Sequence, residues 1–219
     1  MVAADIPGRE CLRRLRRPKS LAEFNLAKLA PAVMPVRAVV REVVTTPPAQ
    51  VRILGLDPGS QCTGYAVVET GPRLTYLVSG SIRTRGASLT ERLQEIFAGV
   101  DRLTSEYRPD EVAIESIFMH RNADSALKLG QARGAALSAT FAVRPRVFEY
   151  APRAVKLAVV GTGSAQKEQV QLMVRRLLNL TGKMGADAAD ALAIALCHAH
   201  SRTLNGQLHR LAAAGGGVR

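Results

Sequence analysis

Three observations predict an α/β fold built on a mixed sheet. Val51–Leu56 is an apolar run too short for a helix, and it ends in Asp57 before a Pro58-Gly59 turn reverses the chain. Two further strand-like runs follow, Thr63–Glu69 and Leu74–Ser81, forming a hairpin around Thr70-Gly71-Pro72-Arg73. An amphipathic stretch then separates this group from another short apolar run, Glu111–Glu115. A helical crossover of that kind makes its flanking strands parallel neighbours. Asp57 and Glu115 should therefore stand at C-terminal strand tips on one sheet edge, where open α/β sheets present their ligand-binding residues.

The elements follow in order. Leu89, Leu93, Ile96, Val100 and Leu103 recur at three- and four-residue steps and specify the crossover helix. Pro109-Asp110 ends the connection into Glu111–Glu115. A helix is expected from about Ala123 to Phe141, then a strand over Arg146–Tyr150. Three helices complete the chain, over Pro152–Val160, Ala165–Leu180 and Ala186 to about Leu204. The folded domain thus spans 51–205. Gly215-Gly216-Gly217 marks 206–219 as a flexible tail.

Residues 1–50 look different. Arg13-Arg14-Leu15-Arg16-Arg17-Pro18-Lys19 is a basic cluster, and Pro31, Pro35, Pro47 and Pro48 break the remainder. This stretch is expected to be a disordered extension or an over-long assigned start, with an auxiliary nucleic-acid tail as the alternative. It has no apolar stretch of signal-peptide type, and Asp5, Glu10 and Glu23 speak against a transit peptide. The three cysteines, Cys11, Cys62 and Cys197, are scattered and lack metal-ligand spacing, so they read as reduced thiols. A cytoplasmic protein without a membrane span is expected.

The net charge of +12 points to a polyanionic partner. The excess is not confined to one end, because residues 51–219 carry 21 Lys/Arg against 14 Asp/Glu. Charge alone fits a nucleic-acid binder, a ribosome-associated protein or an acidic-lipid binder.

The acids narrow the choice. A lone Asp-Pro-Gly is ordinarily a turn aspartate bonding its own backbone, so Asp57 gains meaning only from company. Glu115 closes a strand whose Val112 and Ile114 are apolar. Asp187 and Asp190 lie three apart, on one face of a helix that is apolar nearly all round and should be buried. Asp187 alone could be a first-turn acid favoured by the helix dipole, but that does not explain Asp190. Buried carboxylates need partners or a cation. Oxygen-only ligands favour Mg²⁺ or Mn²⁺, and two such ions can clamp a phosphodiester for in-line hydrolysis. Acids set in a basic protein are what a metal-dependent nuclease requires.

Leu54-Gly55-Leu56-Asp57-Pro58-Gly59-Ser60 with Thr63-Gly64-Tyr65 resembles the opening of the RuvC family of Holliday-junction resolvases. Ala113-Ile114-Glu115 with Phe118-Met119, the run Asn122–Gly134, and Asp187-Ala188-Ala189-Asp190-Ala191-Leu192-Ala193 extend the resemblance in order over roughly 51–200. It implies an RNase H-like fold, a five-stranded mixed sheet with helices on both faces. It also implies a homodimer that nicks four-way DNA junctions symmetrically in recombination and repair, leaving 5′-phosphate ends, and that works with a branch-migration motor. By position, Asp57, Glu115, Asp187 and Asp190 match the family's catalytic, metal-binding carboxylates. The chain departs from the pattern at Ser116, where the family commonly has Gln, in the loop Met119-His120-Arg121-Asn122, and in its first 50 residues.

Lys156 and Lys167 resemble the family's basic residues flanking the site, with Lys167 in a Gly-rich loop entering a helix. Read unaided, Lys167 is equally a solvated lysine at a helix start. Phe118 follows the catalytic strand; the family position implies a ring that stacks on bases at the crossover, whereas its residue type alone suggests core. The small-residue stripe Gly130-Gln131-Ala132-Arg133-Gly134 either packs tightly on its own sheet or, as the resemblance implies, forms the dimer interface. His198 and His200 receive no role. Two other functions are consistent with parts of the sequence. One is an actin-like or sugar-kinase-like ATPase, whose first phosphate loop is similar to Asp57–Gly64. The other is a DNA-binding module without catalysis.

Overall fold

A computed structural model describes residues 50–116 and 122–215, and of 205–215 the backbone only. Five strands form one sheet: β1 (Val51–Asp57), β2 (Cys62–Thr70), β3 (Thr75–Arg83), β4 (Glu111–Glu115) and β5 (Arg146–Tyr150). Their order is β3-β2-β1-β4-β5. β1 runs antiparallel to β2 and parallel to β4, and β4 is parallel to β5. The helices are α1 (Leu89–Tyr107), α2 (Ala123–Ser138), α3 (Pro152–Val160), α4 (Lys167–Leu177) and α5 (Ala186–Gly215). The mixed sheet with its crossover helix α1 is the architecture the sequence predicts.

The two faces of the sheet are covered by different helices. Leu54, Leu56, Val67, Val112 and Ile114 pack against Ile96 and Val100 of α1 and Ala132 and Ala136 of α2. Val51, Ile53, Ala66, Val68 and Ala113 pack against α3, α4 and the Ala191–Cys197 stretch of α5. Strand alternation decides this division, since residues two apart share a face. Asp57 lies in phase with Ile53, and Glu115 with Ala113, so both acids point toward α5 rather than α1.

Local signals fix the helix starts. Ser88 caps α1 in a reciprocal capping box with Glu91. The Asn122 side chain accepts from the Asp124 and Ser125 amides at 3.0 and 3.3 Å to start α2. Gly161, at φ 88°, ends α3 in the left-handed conformation that glycine adopts without steric penalty.

Three boundaries differ from expectation. α2 stops at Ser138, where the Thr140 amide and hydroxyl both turn back to the Leu137 carbonyl. α4 is shorter at both ends than Ala165–Leu180, and Asn179 takes a positive φ of 51° just beyond it. α5 runs to Gly215 instead of ending near Leu204, so helix covers most of the segment read as a tail. One interior glycine, Gly206, costs a helix only about 1 kcal/mol, and Leu208 to Ala214 are mostly strong helix formers. Residues 1–49 and 117–121, including Phe118, lie outside the described residues.

Candidate active site

Register sets the first two acids side by side. Parallel pairing aligns Leu56 with Ile114, so Asp57 and Glu115 reach the same sheet edge on adjacent strands. Arg133 of α2 pins the end of β4 by donating to the Glu115 carbonyl oxygen, while its second nitrogen pairs with Glu149 at 2.7 Å. The Ser116 amide donates to the Tyr150 carbonyl at 2.8 Å and ties the same tip to β5.

Two glycines seat the other pair. A Cβ at Gly64 would stand 2.1 Å from the Asp187 carbonyl oxygen, and one at Gly55 would stand 2.3 Å from that of Ala191. The α5 backbone therefore rests directly on β1 and β2, at a spacing no side chain allows. Gly64 pairs with Asp57 across the antiparallel ladder, so the helix turn carrying Asp187 and Asp190 lands beside Asp57. The sequence motif contains both glycines; their role as the seat of α5 is visible only in the packing.

The electrostatics follow from this crowding. Burial, then the Asp190 charge, with a smaller push from Asp187, raise the Asp57 carboxyl to about 6 against the pull of Lys167. Burial, then Asp57 and Asp190, raise Glu115 to about 7 against Lys156 and Lys167. Lys167, the first residue of α4, places Nζ 2.6 Å from Asp190 Oδ2, and that bond is the main cause that holds its ammonium above the ordinary lysine value. The Cys62 thiol donates to Asp187 Oδ2 at 3.1 Å. Among the described residues the four carboxylates share this region with a single ammonium in direct contact, Lys167, which leaves an excess of negative charge there.

All four sequence-predicted acids come together, and both lysines act on the cluster. Lys167 sits within it, in contact with Asp190, and the charge of Lys156 of α3 acts on Glu115. Cys62, Arg133 and the seat at Gly64 were not singled out from the sequence. A thiol's hydrogen bond across 125 residues leaves no local signature. Among the described residues no three His, Cys, Asp or Glu side chains converge closely enough to form a finished metal cage. The donor chemistry nonetheless fits a hard divalent cation: all oxygen, mutually repelling, and in part held by displaceable partners, Lys167 and Cys62.

Comparison with known proteins agrees with this geometry. The family model for Crossover junction endodeoxyribonuclease RuvC matches residues 53–198. The chain belongs to the RuvC family. It is 53% identical over 168 residues to the crossover junction endodeoxyribonuclease RuvC of Acinetobacter baumannii, covering 76% of this chain and 93% of that one. Identity to the RuvC of Cronobacter sakazakii is 60% over 149 residues, covering 68% and 86% of the two chains. Among solved structures it resembles T. thermophilus RuvC in complex with a Holliday junction substrate, at TM-score 0.67 and 37% identity over 71% of this chain and 97% of that one. The yeast mitochondrial Holliday junction resolvase Ydc2 shares the fold at TM-score 0.52 and 12% identity, over 70% of this chain and 81% of that one. The fold is RNase H-like.

Proposed function

We propose that this RuvC-family chain is a Holliday-junction resolvase, a divalent-metal-dependent endonuclease that nicks four-way DNA junctions symmetrically. The observation that carries the reading is the shared edge: four carboxylates brought together by the β1–β4 register and the α5 seat, inside a chain of net charge +12. Asp57, Glu115, Asp187 and Asp190 would hold the cations, Mg²⁺ with Mn²⁺ as a substitute and two ions per site. Bound there, such ions supply an activated water and neutralise charge at the phosphodiester being cut. The chain's own groups prepare that state. Asp57 and Glu115 release their protons as pH passes about 6 and about 7, so binding a cation below those values expels protons. Lys167 counters Asp190 until a cation or phosphate competes for it, and Lys156 offers a second positive charge beside Glu115.

A homodimer through the outer face of α2 suits a two-fold substrate. Among the described residues, and leaving aside its own helix backbone, a Cβ at Gly130 or Gly134 would meet nothing within 4 Å, so neither glycine is required by packing on its own sheet. Leu127 on the same face is 62% exposed. Ala132 and Ala136, a few residues away, face inward and are fully buried. Partnership with a branch-migration motor rests on the family relation alone, as does base stacking by Phe118. A cytoplasmic location is in keeping with a DNA substrate, and among the described residues no helix is long and apolar enough to cross a membrane. A chain beginning at Gln50 is expected to keep the activity, since β1 opens the sheet one residue later.

The test is cleavage of a synthetic four-way junction with Mg²⁺ beside a linear duplex of the same arms. Paired nicks on opposite strands of the junction alone are expected. Equal cutting of the duplex would remove the junction specificity, and full cleavage in EDTA would remove the metal. Junction-independent ATP turnover would instead favour a kinase-like reading.

A further inference from the structure

An open cavity of about 490 Å³ lies beside the carboxylate cluster, on the β2–β3 side. Its walls include Gln61, Arg83, Thr84, Arg85, Arg92 and Asp187. Two of the arginines lie at the end of β3 and just past it, and the third projects from the first turn of α1. The walls are braced: the Thr84 amide donates to the Gln61 carbonyl at 3.0 Å and its hydroxyl to the Ser60 carbonyl at 3.2 Å. The Arg85 amide donates to Glu95 Oε2 at 2.6 Å, so the main chain carrying that side chain is held as well.

Among the described residues the fold makes little use of the three guanidinium groups. Arg52, Arg133, Arg146 and Arg202 each pair with a glutamate. Among the described residues Arg83, Arg85 and Arg92 pair with no carboxylate, although Asp187 stands in the same wall with its Oδ2 taken by Cys62. Among the described residues the three make one side-chain bond, a long one from Arg92 Nε to the Ser88 carbonyl at 3.4 Å. Three like charges converging on one braced cavity repel each other unless an anion joins them, and the planar fork of arginine matches phosphate oxygens. Among the described residues no aromatic ring lines the cavity, so it lacks the stacking platform typical of base binding, whereas its arginines suit phosphate.

We infer that Arg83, Arg85 and Arg92 form a phosphate subsite that holds a backbone phosphate of the strand being cut, a short distance from the scissile one. The inference rests on the nuclease reading and deepens it. The subsite grips the strand on the β2–β3 side of the acids. The strand is thereby anchored beside the carboxylates, which fixes which phosphodiester lies over them.

The test uses the full chain, Mg²⁺ and a synthetic junction whose cut strand carries one uncharged methylphosphonate, moved a position at a time away from the nick. For the wild type, one offset is expected to lower kcat/KM by about tenfold, the scale of a lost charge-assisted contact. In R83A/R85A the same offset should cost nothing further, and the salt dependence of junction binding should be shallower by ~1 per arginine removed. The methylphosphonate scan on the wild type keeps the test decisive even where a variant is poorly folded. Equal sensitivity at every offset, or equal kcat/KM for R83A/R85A and wild type, overturns the subsite. So does a free-anion site: inorganic phosphate raising the melting temperature of the wild type and not of R83A/R85A, with junction cleavage identical in the two. A wild type that cuts no junction at all would instead overturn the nuclease reading.

Discussion

β4 carries a glutamate at each end of five residues, and the chain treats them in opposite ways. Glu111 is fully buried, yet Arg146, His198 and Arg202 all close on its carboxylate, with His198 Nε2 at 2.7 Å and Arg202 Nε at 3.2 Å. Behind it the Tyr150 hydroxyl meets His198 Nδ1 at 2.6 Å, and the Phe148 ring lies 4.4 Å from the imidazole. Burial alone would raise Glu111; the His198 bond and the charges of Arg202, His198 and Arg146 outweigh it and leave the acid below its ordinary value. Glu115, on the same face of the same strand, is raised to about 7 among other acids. A buried acid answered by cations from its own chain is structure. One crowded with further acids, against which the charges of Lys156 and Lys167 do not prevail, is perturbed in the way that functional-site carboxylates are.

The largest expected effect falls on the uncompensated end. Asp57→Asn, Glu115→Gln and Asp190→Asn should each abolish Mg²⁺-dependent cleavage while junction binding, which draws on the basic surface, stays intact or tightens. Of these, Asp57→Asn and Glu115→Gln should also stabilise the metal-free protein at pH 8. Folded values of about 6 and about 7 lie above the ordinary 3.8 and 4.5, so between them the folded chain holds protons the unfolded chain has lost. Stability without metal therefore falls as pH rises from about 4 to about 7. Asp57→Asn should recover on the order of 2 kcal/mol of it. Thermal melts in EDTA at pH 5 and pH 8 check this, and a variant less stable than wild type at pH 8 contradicts it.

The compensated end should respond in the reverse sense. Glu111→Ala strands two arginines and a buried histidine and should cost about 3–5 kcal/mol, with cleavage per folded molecule unchanged. Because its folded value is depressed, the stability Glu111 supplies is present above about 4.5 and is lost as pH falls through that lower value. Denaturant midpoints at pH 7 and pH 3.5 should show the Glu111→Ala deficit shrinking in acid. A deficit unchanged with pH would mean that the cost is packing alone.

The contrast also shows what a sequence can and cannot disclose. The four acids were legible because each stands in a local pattern: a strand tip before a Pro-Gly turn, the end of an apolar run, and two aspartates three apart on an apolar helix. Strand period and crossover topology then placed Asp57 and Glu115 on one edge, and the family resemblance joined the two aspartates to them. His198 was not legible, since its partners Glu111 and Tyr150 lie 87 and 48 residues away and no periodicity links them. Gly64 was visible as part of a motif, but only the 2.1 Å approach of α5 explains why a side chain is excluded there. The run-on of α5 to Gly215 was missed because turn-forming residues were weighed above the helix formers beside them.

The smallest effect concerns Cys62, which is neither wholly structural nor one of the acids. Its thiol donates to Asp187 Oδ2 at 3.1 Å, and this bond, with burial, holds the thiol above its ordinary value, so it stays a donor at neutral pH. A partner of this kind orients a metal-binding carboxylate, and removing one typically weakens metal affinity by about 10–100-fold. A thiol is a weak donor, so a shift below about tenfold is expected here. Cys62→Ala should raise the Mg²⁺ concentration for half-maximal cleavage a few-fold, with kcat at saturating Mg²⁺ nearly unchanged. Cys62→Ser, which keeps a donor at that position, should restore the wild-type Mg²⁺ requirement. A general packing defect would lower kcat and melting temperature together and leave the Mg²⁺ midpoint where it was. If alanine and serine shift that midpoint equally, the thiol does not orient Asp187, and the crowding of the four acids alone sets how tightly the site holds its cations.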